Sequence, residues 1–158
     1  MTATTPPEPI VDLLATYFVG GATGAELSDA AVRAMEDGFD SLALRMLAGL
    51  TGETSPWEVE SLIQRMLREL GLSMPDHSSM VRMMARPMAR AFLKGHIAPG
   101  DFADHLYALS QKDVHAGHHP WCLLQDEWML ASDGTASTLA EATAALREEA
   151  ERLAGLYH

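Results

Sequence analysis

Cysteine is nearly absent. Cys122 is the only one in 158 residues, so no disulfide can form within the chain, and the composition fits a reducing compartment. Valine and isoleucine are scarce and nowhere alternate with polar residues, which argues against β-strands. No apolar run approaches the roughly 18 residues a membrane span needs. The opening MTATTPPEPI has neither a basic n-region nor an apolar h-region, so no signal peptide is expected and the chain reads as cytoplasmic. Bases are half as numerous as acids, 11 against 22, for a net charge of −11. Such a chain repels phosphate backbones and anionic lipid, so neither nucleic acid nor membrane is an expected partner.

What is present is helical. Ala, Leu, Met, Glu and Arg dominate, all good helix formers, and 47% of residues are hydrophobic. A chain of this length suits one domain and buries enough surface to hold a core without staples. The expectation is an all-α, single-domain bundle of about seven or eight short helices over residues 9–158. The Thr/Pro-rich residues 1–8 are expected to be frayed.

Several helix boundaries are written in capping residues. Ser28 is the expected N-cap of a second helix that ends before Gly38. A third helix over residues 40–48 carries Leu42, Ala43, Leu44, Met46 and Leu47 with Arg45 as its only interior charge, and is expected to be the most buried element. Ser55, Pro56 and Glu58 supply an N-cap, a first-position proline and a capping-box acid for the fourth. Gly71 closes that helix and Gly95 the fifth, inside which Pro87 is expected to cause a kink. Shorter helices are expected over residues 100–111 and 121–131, and a long one from residue 138 to 157.

Chemistry-bearing residues gather in two places. His115, His118, His119 and Cys122 offer four soft or borderline donors within eight residues, a candidate metal set. The spacing lacks the second ligand pair of a structural zinc site, and HExxH and HxxEH are missing. A polar loop leading into a helix that packs Cys122 is the more ordinary reading. Cys122 with a neighbouring histidine also lacks any signature of an activated nucleophile.

The second place is Arg82, Arg86, Arg90 and Lys94, spaced every four residues along the fifth helix. The row is a candidate anion site, weighed against a solvated or internally paired face. Met80, Met83, Met84 and Met88 on that helix read as core filling rather than copper ligands. Trp121 and Trp128, seven apart, are either core or a partner anchor. No strand precedes Gly20-Gly21-Ala22-Thr23-Gly24, so it is not a nucleotide-phosphate loop.

No catalytic constellation stands out and no cofactor is expected. The leading expectation is therefore an acidic helical protein-binding module: an inhibitor, an antitoxin or immunity-type partner, or an adaptor. Its partner would carry a basic surface, steered by Asp126, Glu127, Glu141, Glu148, Glu149 and Glu151. Self-association is left open. Two alternatives stand beside it: a metal-binding protein or metal-dependent enzyme built on residues 115–122, and an anion-ligand sensor built on the Arg82–Lys94 row.

Overall fold

The computed structural model describes residues 6–19, 23–113, 119–134 and 138–155. Among them are eight α-helices and no strand: α1 (Glu8–Val19), α2 (Gly24–Glu36), α3 (Leu42–Ala48), α4 (Pro56–Glu69), α5 (His77–Leu93), α6 (Pro99–Ser110), α7 (Pro120–Ser132) and α8 (Leu139–Gly155). The all-α class follows the composition. By packing, the helices fall into two compact units, α1–α4 up to Asp76 and α5–α8 from His77. No helix of the described residues is long and apolar enough to cross a membrane.

In the first unit, successive helices pack on one another, α1 on α2, α2 on α3 and α3 on α4. Ile10, Val11, Leu13, Leu14 and Ala15 of α1 are buried, and so are Leu27, Ala30, Ala31 and Ala34 of α2. The small residues of α2 let the neighbouring backbones come close. Residues 1–5 of the segment expected to fray lie outside the described residues. Pro6 is buried, and the Pro7 carbonyl accepts from the N–H groups of Ile10 and Val11, so the chain is tied down from Pro6 onward.

Two expectations in this unit are corrected. Thr23, not Ser28, caps α2: its hydroxyl accepts from the Glu26 N–H at 3.2 Å, the N-cap half of the Thr-x-x-Glu pattern. Ser28 lies inside the helix and donates its hydroxyl to the Ala48 carbonyl at the end of α3. Nor is α3 the most buried helix. Leu42 is 54% exposed and Met46 47%, because a seven-residue helix buries one face only, here Ala43, Leu44 and Leu47.

In the second unit α5 packs against α8 and α6, and α7 against α6 and α8. The core gathers Val81, Ala85, Phe92, Phe102, Leu106, Trp121, Leu146 and Leu153. Phe92 and Phe102 stack with centroids 4.8 Å apart, and the Arg147 guanidinium lies 5.8 Å from the Phe92 centroid on the other element packed there. α5 stays helical through Pro87. Gly95, with φ +76°, turns the chain out of α5, a conformation that costs a glycine little.

Candidate functional site

The first unit presents an apolar groove on α3 and α4. Met46, Leu50, Trp57 and Leu62 line it together with Glu58 and Arg65, around a volume of about 580 Å³. Its walls are held by polar contacts at the helix ends. Ser41 caps α3 by accepting from the Leu44 N–H at 3.0 Å. Glu69 of α4 accepts from the Ala43 N–H at 2.9 Å, satisfying a second orphan donor of α3. Glu69 also meets Arg65 one turn back at 3.4 Å. Ser55 caps α4, accepting from the Trp57 N–H at 3.3 Å, which places Trp57 in the first turn. Trp57 is 83% exposed.

A cavity of a different kind lies in the second unit. Ser78, Arg82, Asp113, His119, Trp121 and Arg152 line a volume of about 220 Å³. Asp113 is buried and is held from two sides: the Ser78 hydroxyl donates to its Oδ1 at 3.1 Å, and His119 Nε2 lies 3.6 Å from its Oδ2. His119 Nδ1 accepts from the Trp121 N–H at 3.2 Å and so caps α7. That bond puts the ring proton of the neutral imidazole on Nε2, facing Asp113. Burial holds the His119 pKa below its ordinary value, opposed by Asp113 and Glu149 and aided by Arg82.

Serine, aspartate and histidine meet here in an order unlike a nucleophilic triad. In a triad the imidazole stands between hydroxyl and carboxylate and takes the hydroxyl proton. Here the carboxylate stands between the other two, and the Ser78 proton points at Asp113.

The candidate residues read from the sequence are distributed as follows. His115 and His118 lie outside the described residues. His119 Nδ1 accepts from the Trp121 N–H while its Nε2 lies 3.6 Å from Asp113 Oδ2, and Cys122 Sγ lies 3.3 Å from Ser110 Oγ. No group of three or more His, Cys, Asp or Glu among the described residues is placed to hold a metal ion. The basic row does not share one environment: Arg86 is 1% exposed, Arg82 and Arg90 are partly buried, and Lys94 is exposed. Of the two ordinary readings of the row, a solvated or an internally paired face, burial excludes the solvated one at Arg86. A step of four residues rotates about 40° around a helix, so the row winds about 120° from end to end.

Of the steering acids, Asp126, Glu141, Glu148 and Glu151 are exposed, and Glu127 is partly buried. Glu149 is tied into the fold, accepting from Trp121 Nε1 at 2.8 Å and from Arg152 Nε at 2.9 Å. Trp121 is core, and Trp128 packs against the core, its indole nitrogen 3.0 Å from where a Cβ on Gly100 would lie.

Sequence reasoning overlooked Trp57, Ser78, Asp113 and Arg152 as a groove anchor and cavity lining. Trp57 carried a signal, since a tryptophan directly after a first-position proline lies in a helix's opening turn. For the cavity, Arg82, His119 and Trp121 were each singled out, but nothing local joins them to Ser78, Asp113 and Arg152, because the lining comes from four separated stretches. Comparison with protein-family models, with curated proteins and with solved structures found no match.

Proposed function

We propose that this is a protein-binding module whose α3–α4 groove receives an amphipathic helical segment of a partner with basic flanks. The observation that carries the reading is Trp57, a large aromatic side chain in water beside a groove lined by Met46, Leu50 and Leu62. Single exposed apolar residues are ordinary; several converging on one concave surface mark an interaction site. Tryptophan in such a place commonly supplies a large part of the binding energy, and a groove between helices suits apolar anchors spaced at i, i+3 or i+4 and i+7.

Charge supports the basic flanks. Residues 1–76 hold twelve acids and four bases, a net −8, which steers a cationic segment toward this unit. In the second unit Asp126, Glu141, Glu148 and Glu151 are exposed and Glu127 is partly exposed, and these acids add to the net negative charge that favours a basic partner. Nucleic acid is disfavoured by the same charge. A reducing, cytoplasmic setting belongs to this reading, given a single thiol packed beside Ser110. Inhibitor, antitoxin, immunity-type partner and adaptor are all roles such a groove would serve.

The test is selection of peptides from a random display library on the intact chain. The expected binders are helix-forming, with spaced apolar anchors and Lys or Arg flanks, and weaken as salt rises. Trp57→Ala should cut their affinity tenfold or more, about 1.4 kcal/mol or above. Its stability should stay within about 0.5 kcal/mol of wild type, as for an exposed site. Binders that are acidic, or that hold Trp57→Ala as tightly as wild type, would sink the reading.

A further inference from the structure

α7 is apolar on two opposite sides. Trp121 and Trp128, seven residues apart, turn to the core, the first buried and the second packed against it. Two residues on from each stand Leu123 and Leu130, about 200° further round the helix and so on its outer side. Both are exposed, Leu123 to 63%, and Met129 next to Leu130 is exposed with them. A helix that is apolar all round belongs in a covered position, and exposed apolar residues gathered on one face mark an interaction surface. α6 adds to this face. The Gln125 amide donates to Asp104 at 3.1 Å and the Gln111 amide meets Cys122 Sγ at 4.0 Å, so the two helices lie side by side along that edge. Tyr107 stands on α6 between those two ties and is exposed.

Charge says what covers it. Asp126 stands between Leu123 and Leu130 and is exposed. It makes no hydrogen bond or ion pair among the described residues, and α7 carries no lysine or arginine of its own. We propose that the outer face of α7 receives an amphipathic helix of a partner protein, with apolar anchors on Leu123 and Leu130 and a lysine or arginine on Asp126. Leu, Asp and Leu at steps of three and four residues form the a–d–a seam of a helix pair, about 10.5 Å long. A single charged residue in such a seam sets register and partner choice, because a helix without the matching base leaves it unpaired. That condition also turns away a second copy of this chain. A twofold pairing of α7 centred on Asp126 sets the two carboxylates against each other. The inference does not rest on the α3–α4 groove, which belongs to the first unit. With both surfaces in use the chain holds two partners, the adaptor among the roles named above.

The experiment selects helix-forming peptides from a display library on the intact chain and sorts them by the substitution that releases them. Peptides released by Leu123→Asn are assigned to this face, and the α3–α4 groove is judged on the rest. The assigned peptides should keep their affinity for Trp57→Ala and lose it tenfold or more in both Leu123→Asn and Leu130→Asn. Thermal unfolding of these two variants should match wild type, as at other exposed sites. Should Leu123→Asn fail to fold, Leu130→Asn makes the assignment in its place. Each assigned peptide should carry apolar residues seven apart around a Lys or Arg. Asp126→Lys should weaken those peptides tenfold or more, and replacing their central base with Glu should restore binding to that variant. A selection with no peptide sensitive to Leu123→Asn or Leu130→Asn would overturn the proposal. So would assigned peptides that carry an acid at the centre, or that ignore Asp126→Lys. Sedimentation of the chain alone tests the other occupant: a dimer that Leu123→Asn dissociates would put a second copy on this face, against the proposal.

Discussion

Trp121 Nε1 donates to Glu149 Oε1 at 2.8 Å, joining the first turn of α7 to the middle of α8. The indole is 1% exposed, so its only polar atom is satisfied by a carboxylate that also holds Arg152. Glu149→Ala would strand that N–H in the core, at a cost of about 1–3 kcal/mol. Glu149→Gln keeps an acceptor and should lose less. Glu148→Gln and Glu151→Gln, at exposed neighbours, should stay within about 0.5 kcal/mol of wild type. Urea unfolding of the four variants checks the ranking. Equal losses at all three positions would return Glu149 to the solvent-facing set.

Acid should weaken the second unit through two histidines. Burial lowers the pKa of His105, with Lys112 lowering it further and the hydrogen bond to the Met84 backbone opposing. Burial likewise lowers that of His119. Both therefore take up protons more readily in the unfolded chain, where the ordinary value is about 6.5. Stability from this source is complete above about pH 6.5 and falls as pH drops through that value toward the lower folded pKa. Unfolding free energy should decline from pH 7.5 to pH 5, and His105→Gln should flatten the decline. A flat profile in wild type over that window would contradict the assignment.

How much of this was legible beforehand differs by feature, and the reasons are physical. Ser55-Pro56 and Gly95 mark helix ends through local backbone chemistry, and local signals survive in sequence. Thr23 was passed over for Ser28 because both are good caps, and only the Glu26 partner three residues on decides between them. The apolar count of α3 suggested deep burial, yet burial depends on how many neighbours surround a helix, a tertiary property. That is why Leu42 and Met46 were misjudged. Glu149 was read as a surface acid because charge is usually solvated, and the row that holds Arg86 was left between an anion site and a solvated or internally paired face. Arg86 is buried on α5 and Glu149 on α8 is partly buried against Trp121 of α7, in a unit whose packing joins helices some sixty positions apart.

Gly24 offers a test in which propensity and packing have opposite signs. Alanine is favoured over glycine in helices by about 1 kcal/mol. A Cβ on Gly24, however, would lie 1.8 Å from the Thr51 carbonyl oxygen, which is itself held by the Thr54 hydroxyl at 2.8 Å. The loop after α3 would have to move. Gly24→Ala should therefore destabilise, by about 1–3 kcal/mol as for other overpacked sites. Gly52→Ala, with open space around its Cβ position, should be close to neutral. Thermal unfolding of the pair gives the comparison. A stabilised Gly24→Ala would mean that the 51–54 loop yields at little cost.

The winding of the basic row makes charge reversal a map of depth along α5. Arg86 is fully enclosed, and Lys94, two turns on, is in water. Replacing Arg86 with Glu puts a charge of the opposite sign at a position that is 1% exposed. Breaking a buried charged arrangement in this way typically costs 3–5 kcal/mol. Against a total stability of about 5–15 kcal/mol for an ordinary domain, that is enough to lower Tm by roughly 10 °C. Lys94→Glu should change stability by less than about 0.5 kcal/mol. Arg86→Met separates charge from shape: it keeps an unbranched apolar stem in the core and should lose less than Arg86→Glu. Circular dichroism melts of the three variants check the order. If Arg86→Glu and Lys94→Glu melt together with wild type, the row is a water-facing stripe after all, and Arg86 is not a core residue.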